Sequence, residues 1–175
     1  LISGIMAAGM TEGVQETDGV GTTIKHFACN NQEDNRFGSD SIISERALRE
    51  IYLRGFEICV KEAQPMAIMT SYNLINGVHT ANSYDLCTKA ARDEWGFRGL
   101  IMTDWGTTNE MPDGYAKCSR PEICIQAGND LICPGMESDH EQIRAALKNG
   151  ILKESELRRS IARLIAIILK SNVYE

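Results

Sequence analysis

The sequence predicts an α/β fold of the (β/α)8 TIM-barrel type, of which this chain forms about half. Short apolar stretches typical of buried strands alternate with amphipathic helix patterns, and such alternation with short connections implies parallel strands joined by right-handed crossovers. The chain has 175 residues and four such stretches, whereas a complete barrel needs about 250 residues and eight strands. No G-x-G-x-x-G motif follows a strand, which argues against the competing open sheet of a dinucleotide-binding domain.

The four predicted strands are short apolar runs, each followed by a loop. They lie at 23–29, 67–73, 99–105 and 130–134. No linker or low-complexity segment interrupts residues 1–175, so we expect a single, partial domain.

Helix patterns fill the intervals between the strands and the end of the chain. The predicted ranges are 44–63, 83–95, 120–127, 140–148 and from 155 onward. Ser44 and Ser155 stand at N-cap positions, and Gly128 follows the third helix as a typical C-terminal glycine. The last helix carries an apolar stripe over 157–168 that must pack on another surface.

Composition excludes several classes of partner. Apolar residues make up 43% and charged residues 24% of the chain, which excludes a disordered chain, and the longest apolar run, 164–169, is far shorter than the roughly 20 residues that a membrane span needs. A net charge of −6 without a basic run argues against nucleic acid or an anionic membrane as partner. Residues 1–10 show no signal-peptide pattern, so we expect a cytoplasmic protein, and the chain begins at Leu1 rather than Met, as a piece of a longer protein would.

The cysteines and histidines predict neither disulfides nor a metal site. The six cysteines, at 29, 59, 87, 118, 124 and 133, form no C-x-x-C pair and are too sparse for a disulfide-stapled domain, so we expect reduced thiols packed as small hydrophobes. None of His26, His79 and His140 has another histidine or a cysteine at helical metal-ligand spacing. We therefore expect no metal and no cofactor.

Polar groups follow three consecutive strands, at the end where parallel α/β folds gather reactive residues. They are Lys25 and His26, then Thr70 to Asn73, then Thr103 to Trp105. A carboxylate, a cation, an imidazole, a phenol and an indole at one opening suit a sugar, because rings stack on CH faces while charged groups bind hydroxyls. Each residue alone also has an ordinary structural explanation as a helix cap, an ion-pair partner or a core residue, but packing alone needs no charges at three strand ends.

Five segments, in this order and spacing, closely resemble glycoside hydrolase family 3, the family of retaining β-glucosidases and their relatives. They are KHFACNNQEDNR at 25–36, SERALREIYLRGFE at 44–57, MTSYNLING at 69–77, DEWGFRGLIMTDWG at 93–106 and AGNDLICPG at 127–135. The resemblance runs from about Gly21 to Arg163. It implies that the chain is the C-terminal half of that family's barrel domain.

The resemblance also implies roles for individual residues. Asp104, in the T-D-W motif, is then the catalytic nucleophile, which attacks the anomeric carbon and forms a covalent glycosyl-enzyme that water releases with retention. The charge of Lys25 would favour the ionised carboxylate. The substrate-binding residues implied by the resemblance are Lys25, His26, Met69, Tyr72 and Trp105.

A second carboxyl group, about 5–5.5 Å from the first, must serve a retaining glycosidase as general acid/base. No motif in this chain marks it, although Glu33 and Asp34 follow the K-H-F strand and are candidates. Residues 28–36 contain no histidine, which argues against the family branch that uses a histidine in this loop. We therefore expect an incomplete enzyme whose substrate is a carbohydrate with a terminal β-linked glucose-like sugar.

Two alternatives remain open at this point. The chain alone can be an inert barrel fragment that self-associates, or pairs with missing domains, to cover its open sheet edges. A strand-end lysine in a barrel also fits a Schiff-base lyase acting through Lys25, which borohydride trapping of a carbonyl substrate would reveal.

Overall fold

The computed structural model describes residues 1–109 and 119–174. Its α-helices are α1 (Ile2–Gln15), α2 (Glu45–Ala47), α3 (Arg54–Ala63), α4 (Pro121–Ala127), α5 (Glu137–Lys148) and α6 (Glu154–Ile168). Its strands are β1 (Thr23–Phe27), β2 (Asp40–Ser41), β3 (Ala67–Thr70), β4 (Leu74–Ile75), β5 (Val78–His79) and β6 (Leu100–Met102). π-Helical segments cover Leu48–Tyr52 and Asp85–Glu94, and 3₁₀ turns cover Thr80–Asn82 and Asn172–Tyr174.

The main sheet is parallel, with the strand order β1-β3-β6. Ala67 pairs with Thr23 on one side and with Leu100 on the other, which fixes the register. The predicted strands at 23–29, 67–73 and 99–105 are thus confirmed, although each ends two or three residues earlier than predicted. The predicted strand at 130–134 is represented by a parallel bridge between Met102 and Leu131.

The first four predicted helices are present, with one boundary correction. The Oγ atom of Ser44 accepts the N–H of Ala47 at 3.2 Å and caps the helical stretch that ends at Ala63. Gly128, in the left-handed conformation, ends α4 as predicted. Helix α5 begins at Glu137 rather than at 140.

The prediction that Ser155 caps the last helix is wrong. Lys153 occupies the N-cap position, and the Glu156 carboxylate accepts its backbone N–H at 2.8 Å. The N-cap therefore lies two residues earlier than predicted, because a carboxylate in the first turn satisfies the backbone where a serine hydroxyl was expected.

Helix α1 is not indicated by the sequence pattern, because Gly4 and Gly9 interrupt its apolar residues. It packs on α3, where a Cβ atom on Gly4 would lie only 2.9 Å from the Cα of Gly55. The two glycines therefore allow these helices to approach backbone to backbone. The Gln15 side chain then accepts the N–H of Met66 at 2.8 Å and joins the end of α1 to β3.

The main core lies between the parallel sheet and the helices that cover one of its faces. Phe27, Ile68 and Ile101 supply its strand side, and all three are fully buried. A smaller cluster around Ile125 and Leu152 joins α4, α5 and α6. In the described part of the chain, no helix combines the length and apolar character needed to cross a bilayer.

A buried ion cluster fastens β6 to the helices. The Asp130 carboxylate accepts hydrogen bonds from Arg92 at 2.5 Å, from Arg163 at 3.2 Å and from the N–H of Ile101 at 2.9 Å. Burial lowers the pKa of Arg92 to about 10, and the charge of Asp130 opposes that change. Asp130 therefore compensates cations that the fold has taken out of water.

Candidate active site

Asp104 lies two residues beyond β6 and is 8% exposed. Its Oδ1 atom accepts the N–H of Trp105 at 2.7 Å, and its Oδ2 atom lies 3.6 Å from Nε2 of His26. One carboxylate oxygen is thus held by the adjoining backbone, while the other faces an imidazole. The Trp105 N–H therefore fixes the orientation of the carboxylate, and the imidazole lies beside its second oxygen.

A bulge in β1 brings His26 to this position. Ile24 pairs with Ile68, but Phe27 pairs with Thr70, so β1 contains one extra residue between the two pairs. Ile24 and Phe27 both pack in the core beneath the sheet, although they are three residues apart. The bulge accommodates this spacing and directs His26 toward Asp104, as bulges beside active sites commonly do.

Tyr72 reaches the site from the end of β3. Its neighbours Ser71 and Asn73 are buried, and both side chains donate to the carbonyl oxygen of Ala28, at 3.0 and 3.1 Å. With the backbone anchored on both sides, the Tyr72 hydroxyl donates to the carbonyl oxygen of Trp105 at 2.6 Å. The ends of β1, β3 and β6 are therefore joined by hydrogen bonds at one opening.

The four residues His26, Tyr72, Asp104 and Trp105 meet at this opening. The Trp105 side chain is 65% exposed beside a buried carboxylate and a buried phenol. An exposed indole next to a fixed carboxylate offers an apolar stacking face and a charged group to the same ligand. This is the arrangement that the sequence predicts for sugar binding.

Lys25 occupies a different place from the one expected. It is exposed and lines a cavity of about 510 Å³ together with Gly4, Tyr52 and Phe56. Within the described residues no ion pair joins Lys25 to Asp104, and the side chain facing that carboxylate is the imidazole of His26. Among the described residues no contact supports the expected influence of the Lys25 charge on Asp104, because His26 occupies the position that faces this carboxylate.

Met69 and the two candidate acids have simpler surroundings. Met69 is half-buried in β3 and pairs in register with Met102 of β6. Glu33 is exposed and accepts a hydrogen bond from Arg36 at 2.9 Å, and Asp34 is exposed in the same loop.

Arg36 and Phe37 belong to the site but have no role assigned from the sequence. The guanidinium of Arg36 lies 4.7 Å from the centre of the Tyr72 ring, and the Phe37 ring centre lies 4.5 Å from the same ring. Together they cover the ring of Tyr72 with a cation and an aromatic face. A basic residue followed by an aromatic one, in the polar loop that follows β1, is the signal that could have revealed them.

The segment 131–133 closes the site beside Asp104. The carbonyl oxygen of Leu131 accepts the N–H of Thr103 at 3.0 Å. Cys133 donates its N–H to Thr103 Oγ1 at 3.0 Å, and its carbonyl oxygen accepts the N–H of Gly106 at 2.8 Å. Burial raises the pKa of the Cys133 thiol, and the negative charge of Asp104 raises it further. The thiol of Cys133 therefore lies within the field of the same carboxylate.

The chemistry available at this opening is that of a carboxylate and an imidazole. Among residues 1–109 and 119–174, no group of three His, Cys, Asp or Glu side chains is arranged to hold a metal ion. Of the cysteines, Cys29, Cys59, Cys87, Cys124 and Cys133 are free thiols, and Cys118 lies outside the described residues. A fixed, buried carboxylate next to an exposed stacking surface is suited to nucleophilic attack on a bound ring.

Comparison with known proteins covers nearly the whole chain. The model for the glycosyl hydrolase family 3 N-terminal domain matches residues 2–167. A β-glucosidase from Ruminococcus albus is 41% identical over 173 residues, which are 98% of this chain and 18% of that protein. An exo-α-(1→6)-L-arabinopyranosidase from Bifidobacterium longum is 44% identical over 170 residues, which are 97% of this chain and 21% of that protein.

A solved structure gives the same result for the fold. β-Glucosidase 3B from Thermotoga neapolitana, in complex with glucose, has a TM-score of 0.87 and 41% sequence identity, covering 97% of this chain and 23% of that one. The family match also includes α1, which lies before the start of the resemblance seen in the sequence. The chain spans about a fifth of the length of the curated relatives it matches. In sequence and in fold, this chain belongs to glycoside hydrolase family 3.

Proposed function

We propose that this chain is the nucleophile-bearing part of a retaining glycoside hydrolase that releases terminal β-linked glucose-like sugars. The observation that carries the proposal is the orientation of Asp104, whose buried carboxylate accepts the Trp105 N–H and faces the His26 imidazole. Relatives named as β-glucosidases, with 38–52% identity, support the reaction class and the sugar.

In this mechanism, Asp104 attacks the anomeric carbon as the bond to the leaving group breaks, and water later displaces the sugar from the carboxylate. His26 binds a sugar hydroxyl while it keeps Asp104 oriented, and Trp105 stacks on the apolar face of the ring. Tyr72 holds the backbone of the loop 103–106, which carries Asp104, by donating to the carbonyl oxygen of Trp105. Met69 lines the subsite from β3, whereas Lys25, which lines the cavity beside α1 and α3, has no role in this mechanism.

The general acid/base and the rest of the barrel belong, in this proposal, to other parts of a longer protein. The parallel order β1-β3-β6 and the bridge at Leu131 are consistent with half of a (β/α)8 barrel. Cavities of about 510 and 540 Å³ lie beside β1 and beside Leu131 and Pro134. Such cavities are what a barrel cut on both sides would leave.

The test is covalent labelling of the full-length protein with a mechanism-based fluoro-sugar, read by peptide mass spectrometry. We expect the label on Asp104, and no label in the Asp104→Asn variant, which keeps the shape of the side chain and removes its charge. Loss of a nucleophile lowers the rate by several orders of magnitude, about 10⁴-fold or more. The exposed carboxylate of Asp93 provides the matched control, and Asp93→Asn should label like the wild type.

Label on a residue other than Asp104 would overturn the assignment of the nucleophile. The 175-residue chain alone should release little aglycone from an aryl β-glucoside, since no motif in it marks an acid/base. Rapid turnover by this chain alone would contradict the proposal that the acid/base comes from another part of a longer protein. An aryl α-L-arabinopyranoside assayed in parallel decides the sugar, because one of the similar relatives is named for that activity.

A further inference from the structure

Thr103 stands directly before Asp104, and its side chain is fully buried. The mechanism described above makes no use of its hydroxyl group. The oxygen of that hydroxyl accepts the backbone N–H of Cys133 at 3.0 Å, and the N–H of Thr103 itself donates to Leu131 O at 3.0 Å. The chain just before Asp104 is therefore bonded twice to the segment 131–133.

The same segment is also bonded to the chain just after Asp104. The N–H of Gly106 donates to the carbonyl oxygen of Cys133 at 2.8 Å. Cys133 thus donates to Thr103 through its N–H and accepts from Gly106 through its carbonyl group. Between these two contacts lie Asp104 and Trp105, whose carbonyl oxygen is held by Tyr72. Cys133 is therefore hydrogen-bonded to both ends of the loop 103–106, which carries Asp104.

We propose that the Thr103 hydroxyl is a positioning group for the nucleophile, a role that rests on the proposed glycosidase function. Without the hydroxyl oxygen, the N–H of Cys133 loses its acceptor, and an unsatisfied amide in a partly buried place favours movement of the segment 131–133. Because Gly106 is bonded to that segment, the movement is transmitted to Asp104. A displacement of about 1 Å in a reacting group can lower a rate about 100-fold.

Sugar binding should be affected much less than the attack on the anomeric carbon. Trp105 lies in the same loop as Asp104, but stacking on an exposed ring face tolerates a small shift that in-line attack on one carbon atom does not. The imidazole of His26 belongs to β1, a different element from that loop. The role of Thr103 therefore predicts a specific kinetic signature. The first-order rate constant for covalent labelling falls, while the concentration of fluoro-sugar at half-saturation stays nearly constant.

The experiment compares Thr103→Val and Thr103→Ser with the wild type in the full-length protein. Val keeps the shape and removes the acceptor, and we expect its labelling rate constant to fall about 10- to 100-fold. Ser keeps the acceptor and should stay within about threefold of the wild type. The matched control is Thr11→Val, which removes another buried hydroxyl, one that is hydrogen-bonded to Thr22 and Cys59. After correction for the fraction of folded protein, this variant should be labelled at the wild-type rate.

The outcomes separate the two proposals. A wild type that is not labelled at Asp104 overturns the proposed function and this inference together. Two results would overturn only the inference about Thr103. In the first, the wild type is labelled at Asp104 and Thr103→Val has the same labelling rate constant. In the second, Thr103→Ser is labelled as slowly as Thr103→Val. If Thr103→Val does not fold, Thr103→Cys takes its place, because a thiol is a weaker acceptor than a hydroxyl. Equal labelling rate constants for Thr103→Cys and Thr103→Ser would then overturn the positioning role of the Thr103 hydroxyl.

Discussion

The hydroxyl of Tyr72 donates a hydrogen bond of 2.6 Å to the carbonyl oxygen of Trp105, the residue that follows the proposed nucleophile. The N–H of the same Trp105 donates to the Asp104 carboxylate at 2.7 Å. One residue thus links a side chain at the end of β3 to the carboxylate at the end of β6. The hydroxyl of Tyr72 is thus linked to the proposed nucleophile through the backbone of Trp105.

Removing this hydroxyl in Tyr72→Phe should slow hydrolysis by the full-length protein. The carbonyl oxygen of Trp105 loses its donor, and we expect kcat/KM to fall about 10- to 100-fold, together with about 1 kcal/mol of stability. Tyr84, which is exposed, provides the control, and Tyr84→Phe should leave both quantities unchanged. A Tyr72→Phe enzyme as fast as the wild type would show that the backbone of Trp105 needs no such support.

Stability should fall in mild acid because of His79. Burial lowers the pKa of this imidazole, while its contact with the Tyr72 carbonyl at 3.0 Å and the charge of Asp40 act in the opposite direction. A lowered pKa in the folded state means that protonation favours the unfolded chain. The free energy of unfolding should therefore be greatest above the ordinary histidine pKa of about 6.5 and decline as the pH falls below it.

The measurement is denaturant unfolding between pH 8 and 5, at about half-unit steps, for the wild type and His79→Gln. The variant should lose part of the decline in stability. The exposed His140 supplies the control variant His140→Gln, which should keep the wild-type slope. Identical slopes for the wild type and His79→Gln would contradict the prediction.

Replacing Asp130 should destabilise the fold more than any surface carboxylate does. Asp130→Ala leaves the buried Arg92 and the partly buried Arg163 without their anion, and breaking a buried ion pair in this way costs about 3–5 kcal/mol. Denaturant midpoints measure the loss. Asp93→Asn, at an exposed site, should change stability by less than about 0.5 kcal/mol, and a similarly small change in Asp130→Ala would contradict the prediction.

The thiol of Cys133 should react faster with iodoacetamide when Asp104 is neutral. Burial and the Asp104 charge both raise the thiol pKa, so Asp104→Asn removes one cause and increases the thiolate fraction at a given pH. Peptide mass spectrometry at pH 8 follows the reaction. The buried Cys29, whose pKa burial raises to about 11, is an internal control that should not respond. An unchanged or slower reaction at Cys133 would show that the two groups do not interact.

The sequence predicts the alternating fold well because its strands and helices have clear patterns. Ser44 and Gly128 mark helix ends through local chemistry that needs no knowledge of the fold. Helix α1 escapes prediction because Gly4 weakens the helical pattern, and its reason for being there is a contact with Gly55, far along the chain. Local patterns cannot show a requirement that arises from tertiary packing.

The candidate site is predictable only in part for a similar reason. Asp104 and Tyr72 follow regular strands, so strand direction alone brings them to one end of the sheet. Whether Lys25 or His26 faces Asp104 depends on the bulge in β1, and no residue type in that strand predicts a bulge. The position of Arg36 over the Tyr72 ring depends on the path of a loop, which composition does not determine.

The contrast between the two tryptophans provides an optical probe of the site. Trp95 is buried and in edge-to-face contact with Phe27, whereas Trp105 is 65% exposed beside the proposed nucleophile. A soluble quencher such as iodide should therefore extinguish the emission of Trp105 and spare that of Trp95. Protection from quenching on adding glucose would report occupancy of the opening without turnover, even in variants of Asp104 that hydrolyse nothing.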